Sequence, residues 1–340
     1  MSGGVDSSVA AALELDAGHE VTGCTMKLWG GASDTGCCSV ADVDDARRVA
    51  QQLGVDHFVF NFGDDFDAAV VQPYVAAHAA GRTPNPCVEC NRSLKFDRLL
   101  ARAHALGFDA LATGHHARVD LVGGRWRLRR GADVAKDQSY VVHMLRQAQL
   151  GRTRFPVGHL DKADVRRRAA ALGLRTATKP DSQDVCFIPS AAGGRASFLA
   201  TRTPLTEARV VDVDGNEVGR VPAVELVTVG QRRGLGVAGA GAPRYAVAVD
   251  VAGRRVTVGG VDDLRSTEVG IDLLTWVDRP PAGAVLVQTS AHGAARPATY
   301  DAEASLVRFA EPAPRVAPGQ SVVLYRGNEV LGGGIAVGAQ

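Results

Sequence analysis

Met1-Ser-Gly-Gly-Val-Asp-Ser-Ser8 opens the chain and runs without a break into Val9-Ala-Ala-Ala-Leu-Glu-Leu-Asp16, a helical pattern stopped at Gly18. Small residues at 2–8 let backbone amides come close to a phosphate, and the helix that follows aims its unpaired N–H groups and the positive end of its dipole at the same point. The lysine of a Walker-type phosphate loop is missing, so this is a different cradle. Outward from it, one unit recurs: a helical stretch, a Leu-Gly stop, a short apolar strand. Ala41 to Leu53 ends at Gly54 before His57-Phe-Val-Phe60; Ser93 to Leu106 ends at Gly107 before Ala110-Leu-Ala-Thr113; Asp164 to Leu172 ends at Gly173. Glycine just past a helix takes up the left-handed cap. With Val21 to Met26 as a further strand, the alternation predicts a doubly wound, mostly parallel sheet covered by helices on both faces. Ligands of such sheets sit at the carboxyl ends of the strands.

After about residue 195 the texture changes to short alternating runs punctuated by turns. Asp212-Val-Asp-Gly215-Asn216 predicts a hairpin turn between Ala208-Arg-Val-Val211 and Glu217-Val218. From Tyr245 onward strands are expected at Ala246 to Val251, Arg255 to Val258, Val285 to Thr289 and Ser321 to Tyr325, spaced by Gly and Pro as in a small barrel or sandwich. The expected domains are therefore 1–195, α/β; 196–244, a small central β-rich unit; and 245–340, a C-terminal β-barrel. The boundaries fall in the Ala191 to Arg195 loop and the Gly234 to Gly241 stretch.

At 340 residues the chain can bury a large core without disulfide staples. No apolar run reaches the roughly 18 residues of a membrane span, and no basic segment followed by an apolar block marks a secretory signal, so the expectation is a cytoplasmic protein with no membrane partner. Six cysteines (Cys24, Cys37, Cys38, Cys87, Cys90, Cys186) are too unevenly spread for a disulfide framework, which points to chemistry or metal. The net charge of +1 conceals a separation: residues 1–70 carry 12 acidic and 3 basic side chains, residues 123–175 carry 13 basic and 4 acidic ones. A polyanion could lie on the second segment, with its runs Arg125, Arg127, Arg129, Arg130 and Arg166, Arg167, Arg168. The plainer reading is a solvated helix face in a chain where Arg outnumbers Lys 33 to 5.

Two further constellations carry reactive groups. In Gly81-Arg-Thr-Pro-Asn-Pro-Cys-Val-Glu-Cys-Asn91 the prolines bar helix before Cys87, so the cysteines lie on a constrained loop feeding a helix N-terminus, where a thiolate is stabilised by the dipole. Such a C-x-x-C pair reads as a redox dithiol, a metal half-site or incidental buried thiols; tetrahedral zinc is disfavoured without a second pair. Lys179-Pro-Asp-Ser-Gln-Asp-Val-Cys186-Phe-Ile-Pro189 is a polar loop with one cysteine, which taken alone reads as a core filler.

Ser2-Gly-Gly-Val-Asp-Ser-Ser8 resembles the pyrophosphate loop of enzymes that cleave ATP to AMP and pyrophosphate. Together with Thr83-Pro-Asn-Pro86, Cys90-Asn91, Ala112-Thr-Gly-His115, Lys136-Asp-Gln-Ser-Tyr140, Asp184-Val-Cys-Phe-Ile-Pro189, Gly230-Gln-Arg-Arg-Gly-Leu-Gly236 and Leu331-Gly-Gly-Gly334, it makes the chain similar, over nearly its full length, to the tRNA-specific 2-thiouridylases. The resemblance implies an adenine nucleotide hydrolase-like first domain and, as activity, ATP-dependent 2-thiolation of a tRNA wobble uridine. It implies that Ser2, Gly3, Gly4, Val5, Asp6, Ser7, Ser8, Met26 and Gly114 hold ATP, with Mg²⁺ accompanying the triphosphate. Cys90 would be the nucleophile and Cys186 the persulfide carrier. Asn85, Pro86 and Cys87 would face the target base, and His115, Lys136, Asp137, Gln138 and Gln320 would touch tRNA. The implied sulfur donor is a cysteine desulfurase or a relay protein.

Two departures from that pattern stand out. In the family a strand precedes the phosphate loop, so a first strand ahead of Ser2 is expected, with the start of the chain placed too late; the alternative is a genuine chain whose sheet is weakened. Some members also have Asp where this chain has Cys87, and three thiolates (Cys87, Cys90, Cys186) could instead hold a [4Fe–4S] cluster on three irons. Competing classes are an ATP-dependent amide ligase, which needs no cysteine, and a tRNA-binding protein without catalysis.

Overall fold

The structure is a computed structural model that describes residues 1–28, 39–181, 185–188, 193–237 and 242–338. Cys37, Cys38, Asp184, Pro189 and parts of both expected domain boundaries lie outside the described residues.

Helix α1 (Val5–Asp16) leaves the opening loop at Gly4, and its apolar face (Val5, Val9, Ala10) packs on Val157, Val165, Ala169 and Leu174. Strand β1 (Gly23–Lys27) runs parallel to β2 (His57–Asn61), Gly23 facing His57 and Lys27 facing Asn61. Between them lies α2 (Val40–Leu53), started by Ser39, whose hydroxyl accepts from Asp42 N, and ended by Gly54 at φ 72°. The Leu-Gly stop thus does what its left-handed freedom suggests. Strand β3 (Leu111–Ala112) is parallel to β6 (Thr153–Arg154), so the predicted parallel pairing takes the form of two separate pairs. Met1 lies along β1: its amino group donates to the Cys24 carbonyl, and its carbonyl accepts from Thr25 Oγ1 at 2.7 Å.

Two helices were underestimated by the sequence reading. Helix α3 (63–79) is built from Gly63–Phe66, a π-helical turn Asp67–Val71 and Gln72–Ala79. Helix α4 (86–105) begins with Pro86–Glu89, passes through a π-helical stretch Cys90–Leu99 and finishes with Leu100–Ala105. It starts seven residues before the expected Ser93, because proline at the first helical position needs no N–H partner and Asn85 caps it. Its faces feed two cores: Cys90, Leu94 and Leu99 join Phe62, Phe66 and Phe187, while Val88 and Phe96 join Tyr140, Leu145 and Tyr325.

The β half divides differently from the sequence expectation. Strands β7 (Ala208–Val211) and β8 (Glu217–Val221) form the predicted hairpin, but β9 (Tyr245–Asp250) and β10 (Arg255–Gly259) join them in a sheet of order β8-β7-β10-β9. These two strands had been assigned to the C-terminal barrel. Their apolar side chains (Ala246, Val256, Val258) instead complete the core begun by Val210, Val221 and Val224. The barrel consists of β11 (Arg265–Trp276), β12 (Ala284–Gln288), β13 (Arg296–Asp301), β14 (Leu306–Pro314), β15 (Ser321–Arg326) and β16 (Glu329–Ala336), in the order β11-β14-β13-β12-β15-β16, closed by β16 on β11. Closure removes the open edges such short strands would otherwise present.

A hairpin within the α/β half, β4 (Ala117–Val122) and β5 (Arg125–Arg130), reaches over to this barrel, Arg129 facing Glu329 and Leu128 facing Val330. Strand β15 therefore lies between two cores. Val322 and Leu324 point into the barrel, Val323 and Tyr325 into the α/β half, which accounts for its uninterrupted apolar run.

The hairpin also changes the meaning of the charge separation. Arg125 pairs with Asp278, Arg127 with Glu329, Arg129 with Asp120 and Arg130 with Asp137, whose contact is 2.7 Å. Further along, Arg154 meets Glu14, Lys162 meets Asp6 and Arg175 meets Asp45, so the basic segment is matched to the acidic first 70 residues. Much of the charge read from the sequence as a surface for a polyanion is thus engaged in ion pairs within the chain, several of them at its surface.

Candidate active site

The opening loop, residues 2–4, and the first turn of α1, residues 5–8, are closed on each other and clamped from outside. Ser2 N donates to Ser7 Oγ at 3.0 Å, and the hydroxyls of Ser7 and Ser8 donate to the Gly4 carbonyl at 3.1 and 2.9 Å. Gly3 sits at φ 71° with its α-carbon so near α2 that an added Cβ would lie 2.4 Å from the Asp42 carbonyl oxygen; only glycine fits. Gly4, the residue before α1, has no side chain with which to cap the first N–H groups of the helix. Gly114 approaches from β3: a Cβ there would stand 2.6 Å from both Asp6 C and Ser7 N. Met26, half-buried on β1, packs at the margin of the core that holds Cys90.

Asp6 is the charge at the centre. Lys162 Nζ donates to both of its oxygens at 2.7 Å and His116 Nε2 lies 3.1 Å from Oδ1. Burial would raise its carboxyl, but the hydrogen bonds from His116 and Lys162 outweigh that and hold it below the usual carboxylate range. Lys162 also reaches Asp181 at 2.9 Å, where Lys136 (2.8 Å) and Arg166 (2.9 Å) converge. Burial opposes ionisation of Asp181 as well, and the donors Lys136 and Lys162 prevail, bringing it to about 2. On the other flank Lys179 Nζ donates to the Gly3 carbonyl at 2.9 Å, to Asp42 at 2.6 Å and to Asp45 at 2.7 Å. Its pKa rises despite burial, which acts the other way, because Asp42 and Asp45 accept hydrogen bonds from it. His116, Lys162, Lys179 and Asp181 were not singled out by the sequence reading. Lys179 and Asp181 lie within a motif it quoted; His116 and Lys162 are single residues with no local pattern to announce them.

The thiols lie on the adjoining core. Asn85 Oδ1 accepts from Cys87 N (3.0 Å) and Val88 N (3.4 Å), Pro86 is buried in the first turn, and Cys87 faces solvent at the mouth of α4. Cys90, 9 % exposed, opens the π-helical stretch, a distortion that recurs at functional positions. Cys186, 96 residues further on by number, packs against the same core, between Val185 and the buried ring of Phe187, which stacks edge-on to Phe66 (5.5 Å) and Tyr74 (5.6 Å). Among the described residues no group of three or more His, Cys, Asp or Glu is gathered as a metal ligand set, although Cys87, Cys90 and Cys186 are all described. The expectation of a [4Fe–4S] cluster on these thiols finds no support: Cys87 points outward while Cys90 is in the core.

Residues expected at tRNA are placed as follows. His115 is 8 % exposed, its Nδ1 lies 2.7 Å from Thr113 Oγ1 and its ring packs between Phe96 and Phe155. Burial first, then the Lys95 charge, drives its pKa well below the ordinary value. Asp137 accepts from Arg130, Gly131 N, Ser139 N and Ser139 Oγ, and Gln138 Oε1 accepts from His116 N at 2.9 Å, all contacts that shape the turn itself. Lys136 is partly exposed and tied to Asp181. Gln320, in the turn before β15, donates through Nε2 to the Thr83 carbonyl at 2.5 Å, and Thr83 N donates to the Pro318 carbonyl at 2.7 Å. The barrel thus grips the strand of chain that leads to Asn85 and Cys87.

No described helix is long and apolar enough to cross a membrane. Three sequence families match successive parts of the chain: the "tRNA methyl transferase HUP domain" over 1–190, the "tRNA methyl transferase PRC-barrel domain" over 196–260 and the "Aminomethyltransferase beta-barrel domain" over 266–336. Among curated relatives, the tRNA-specific 2-thiouridylase MnmA of Chloroflexus aurantiacus is 47 % identical over 98 % of this chain and 96 % of its own length. The proteins of the same name from Mycobacteroides abscessus (47 %, covering 98 % and 97 %) and Heliobacterium modesticaldum (44 %, covering 99 % and 91 %) are similar to the same extent. With a glycine-lined loop leading into α1, two cysteines on one core, and relatives of this closeness along its whole length, the chain belongs to the tRNA-specific 2-thiouridylase family.

Proposed function

We propose that this chain catalyses ATP-dependent 2-thiolation of the wobble uridine of tRNA, adenylating the uridine O2 and then transferring sulfur from a cysteine persulfide. The observation that supports the reading is that Cys90 and Cys186, remote in sequence, both pack on one core with Met26, in the domain that opens with the glycine-rich loop.

A uracil C2 carbonyl is a poor electrophile and its oxygen a poor leaving group. Attack of O2 on the α-phosphorus of ATP expels pyrophosphate and turns that oxygen into AMP, which leaves readily. The first N–H groups of α1 and the loop amides are the groups we assign to the phosphates. Mg²⁺, where bound, neutralises charge on the triphosphate; Asp6 is the carboxylate standing at the loop, in keeping with a metal held chiefly by phosphate oxygens. A persulfide on Cys186, loaded by a cysteine desulfurase or a relay protein, attacks C2 through its terminal sulfur and displaces AMP. The Cys90 thiolate then attacks Cys186 Sγ, releasing the 2-thiocarbonyl and leaving a Cys90–Cys186 disulfide that a thiol reductant reopens. The target nucleotide has to leave its stack to reach the pocket, as bases undergoing chemistry do, and Asn85, Pro86 and Cys87 at the mouth of α4 are the residues we place against it. Lys136 and Gln320 are the remaining candidates for RNA contact, together with His115, Asp137 and Gln138 as supports of that surface.

The test is mass spectrometry of tRNA incubated with ATP, a persulfide donor and the protein. Exchange of oxygen for sulfur at the wobble uridine is the expected result; ATP consumption without it refutes the proposal. The matched family's description speaks of methyl transfer, and the same measurement distinguishes a methyl gain from sulfur exchange. The paired cysteines favour sulfur. An amide ligase on the same loop would survive Cys90→Ser intact.

A further inference from the structure

The segment Lys179-Pro180-Asp181 is fastened at both ends to the phosphate loop. Lys179 holds the Gly3 carbonyl together with Asp42 and Asp45 of α2. Asp181 is held by Lys162, the same ammonium that grips both oxygens of Asp6. Between them Pro180 removes one backbone torsion, and Arg166 adds a second fastening, donating to the carbonyls of Ala177 (2.8 Å) and Lys179 (3.0 Å) as well as to Asp181. Cys186 follows Asp181 by only five residues, a reach of at most about 18 Å along extended chain.

We propose that Lys179 and Asp181 are positioning residues that tie the Cys186 segment to the phosphate loop, so that the placement of the sulfur-bearing cysteine depends on what occupies that loop. The inference rests on the reading of the loop as the ATP site. Its physical basis is the stoichiometry of Lys162. An ammonium has three donors, and here two are on Asp6 and one on Asp181. A phosphate anion arriving at the α1 N-terminus competes for them, and whichever bond yields, the charge balance at Asp181 changes. Lys136 and Arg166 stay on Asp181 and limit how far it moves. The arrangement gives the chain a way to keep sulfur delivery in step with activation of the base, which otherwise would waste ATP.

The experiment uses the full chain with Asp181→Asn, which preserves shape while removing charge, and Asp181→Glu as the conservative variant. Calorimetry first measures binding of a non-hydrolysable ATP analogue. The rate of Cys186 alkylation by iodoacetamide is then followed by peptide mass spectrometry with and without the analogue. In the unaltered protein the analogue should change that rate several-fold. In Asp181→Asn the dependence should vanish while the analogue still binds, and Asp181→Glu should restore it. In turnover, water attacking the adenylated uridine in place of the persulfide should raise AMP released per thiolated uridine roughly 10- to 100-fold in Asp181→Asn, the scale expected when a reacting group is misplaced by about 1 Å. A protein that binds no analogue overturns the nucleotide reading itself. Binding without any effect on Cys186, or an Asp181→Asn variant that keeps both the effect and the AMP ratio, overturns the tether alone.

Discussion

Gly114→Ala isolates the contact on which the loop geometry depends. Gly114 is not among the positive-φ glycines, so alanine strains no torsion and the entire effect is steric. Its Cβ would stand 2.6 Å from Asp6 C and Ser7 N, 0.8 Å inside an ordinary 3.4 Å contact, and those atoms are backbone with no rotamer to yield. Either β3 or the first turn of α1 has to shift by most of that distance. Overpacking of this kind costs about 1–3 kcal/mol, offset by about 0.4–1 kcal/mol from the restricted unfolded chain. A net destabilisation of about 1–2 kcal/mol follows. The functional loss should be larger than the loss of stability implies, since displacing the amides of Asp6 and Ser7 by close to 1 Å can lower a rate ~100-fold. Scanning calorimetry gives the first quantity, and tRNA-dependent AMP formation with ATP titrated gives the second. An alanine variant that melts slightly lower yet forms AMP at the unaltered rate would refute the claim that Gly114 sets the loop; one that melts normally would refute the packing argument.

Cys90→Ala and Cys186→Ala should each abolish sulfur incorporation, read by tRNA mass spectrometry, and Cys186→Ala should still release pyrophosphate; retention of thiolation in either ends the two-cysteine mechanism. Asn85→Ala removes the acceptor for two amides at the start of α4, at a cost of about 1 kcal/mol, and should speed alkylation of Cys87 as the first turn frays; an unchanged rate would show that the prolines suffice. His78 and His143 are buried, which first and foremost depresses each to about 4, the charge of Arg195 adding to the effect at His78 and that of Arg92 at His143. The unfolded chain takes up these protons near pH 6.5 and the folded one does not, so stability falls as pH drops from about 6.5 toward 4 and levels off below it. Denaturant titrations across that range check the slope, and Gln at either position should flatten it.

The loop and its helix were legible because their chemistry is local: small residues, then an uninterrupted helical pattern, with Gly54 ending α2 in the same local way. The Ala208–Val221 hairpin was legible for its turn. What sequence could not show depends on partners far along the chain. The arginines of β5 alternate with Trp126 and Leu128 in strand period, yet their sheet neighbour is Glu329–Val330, some 200 residues away, and without it the run reads as solvated charge. Helix α3 was hidden by Pro73, which stands at the second position of its last segment where a π-turn absorbs it. Motif matching named Cys90 and Cys186, but it could not name Lys162 or His116, whose meaning lies wholly in their reaching Asp6.

A reactive cysteine at the start of a helix is only as well placed as the chain that enters that helix. Here the entering segment is held from every side. Thr83 is bonded through both its N–H and its carbonyl to the turn Pro318–Gln320 of the barrel, and its hydroxyl lies 3.3 Å from Thr228 of the middle unit. Gly81 rests with its α-carbon against Val251, leaving a Cβ only 3.0 Å from that side chain, and Gly319 is similarly pressed on Thr83. Pro84 and Pro86 then each fix one further φ before Cys87. On this view the two β domains act on the chemistry without supplying a reactive group: they complete a rigid entry to α4 that the α/β half cannot build alone. Gln320 then has a structural role of its own beside any contact with RNA, because its side chain satisfies the Thr83 carbonyl of a Pro-flanked, partly buried turn.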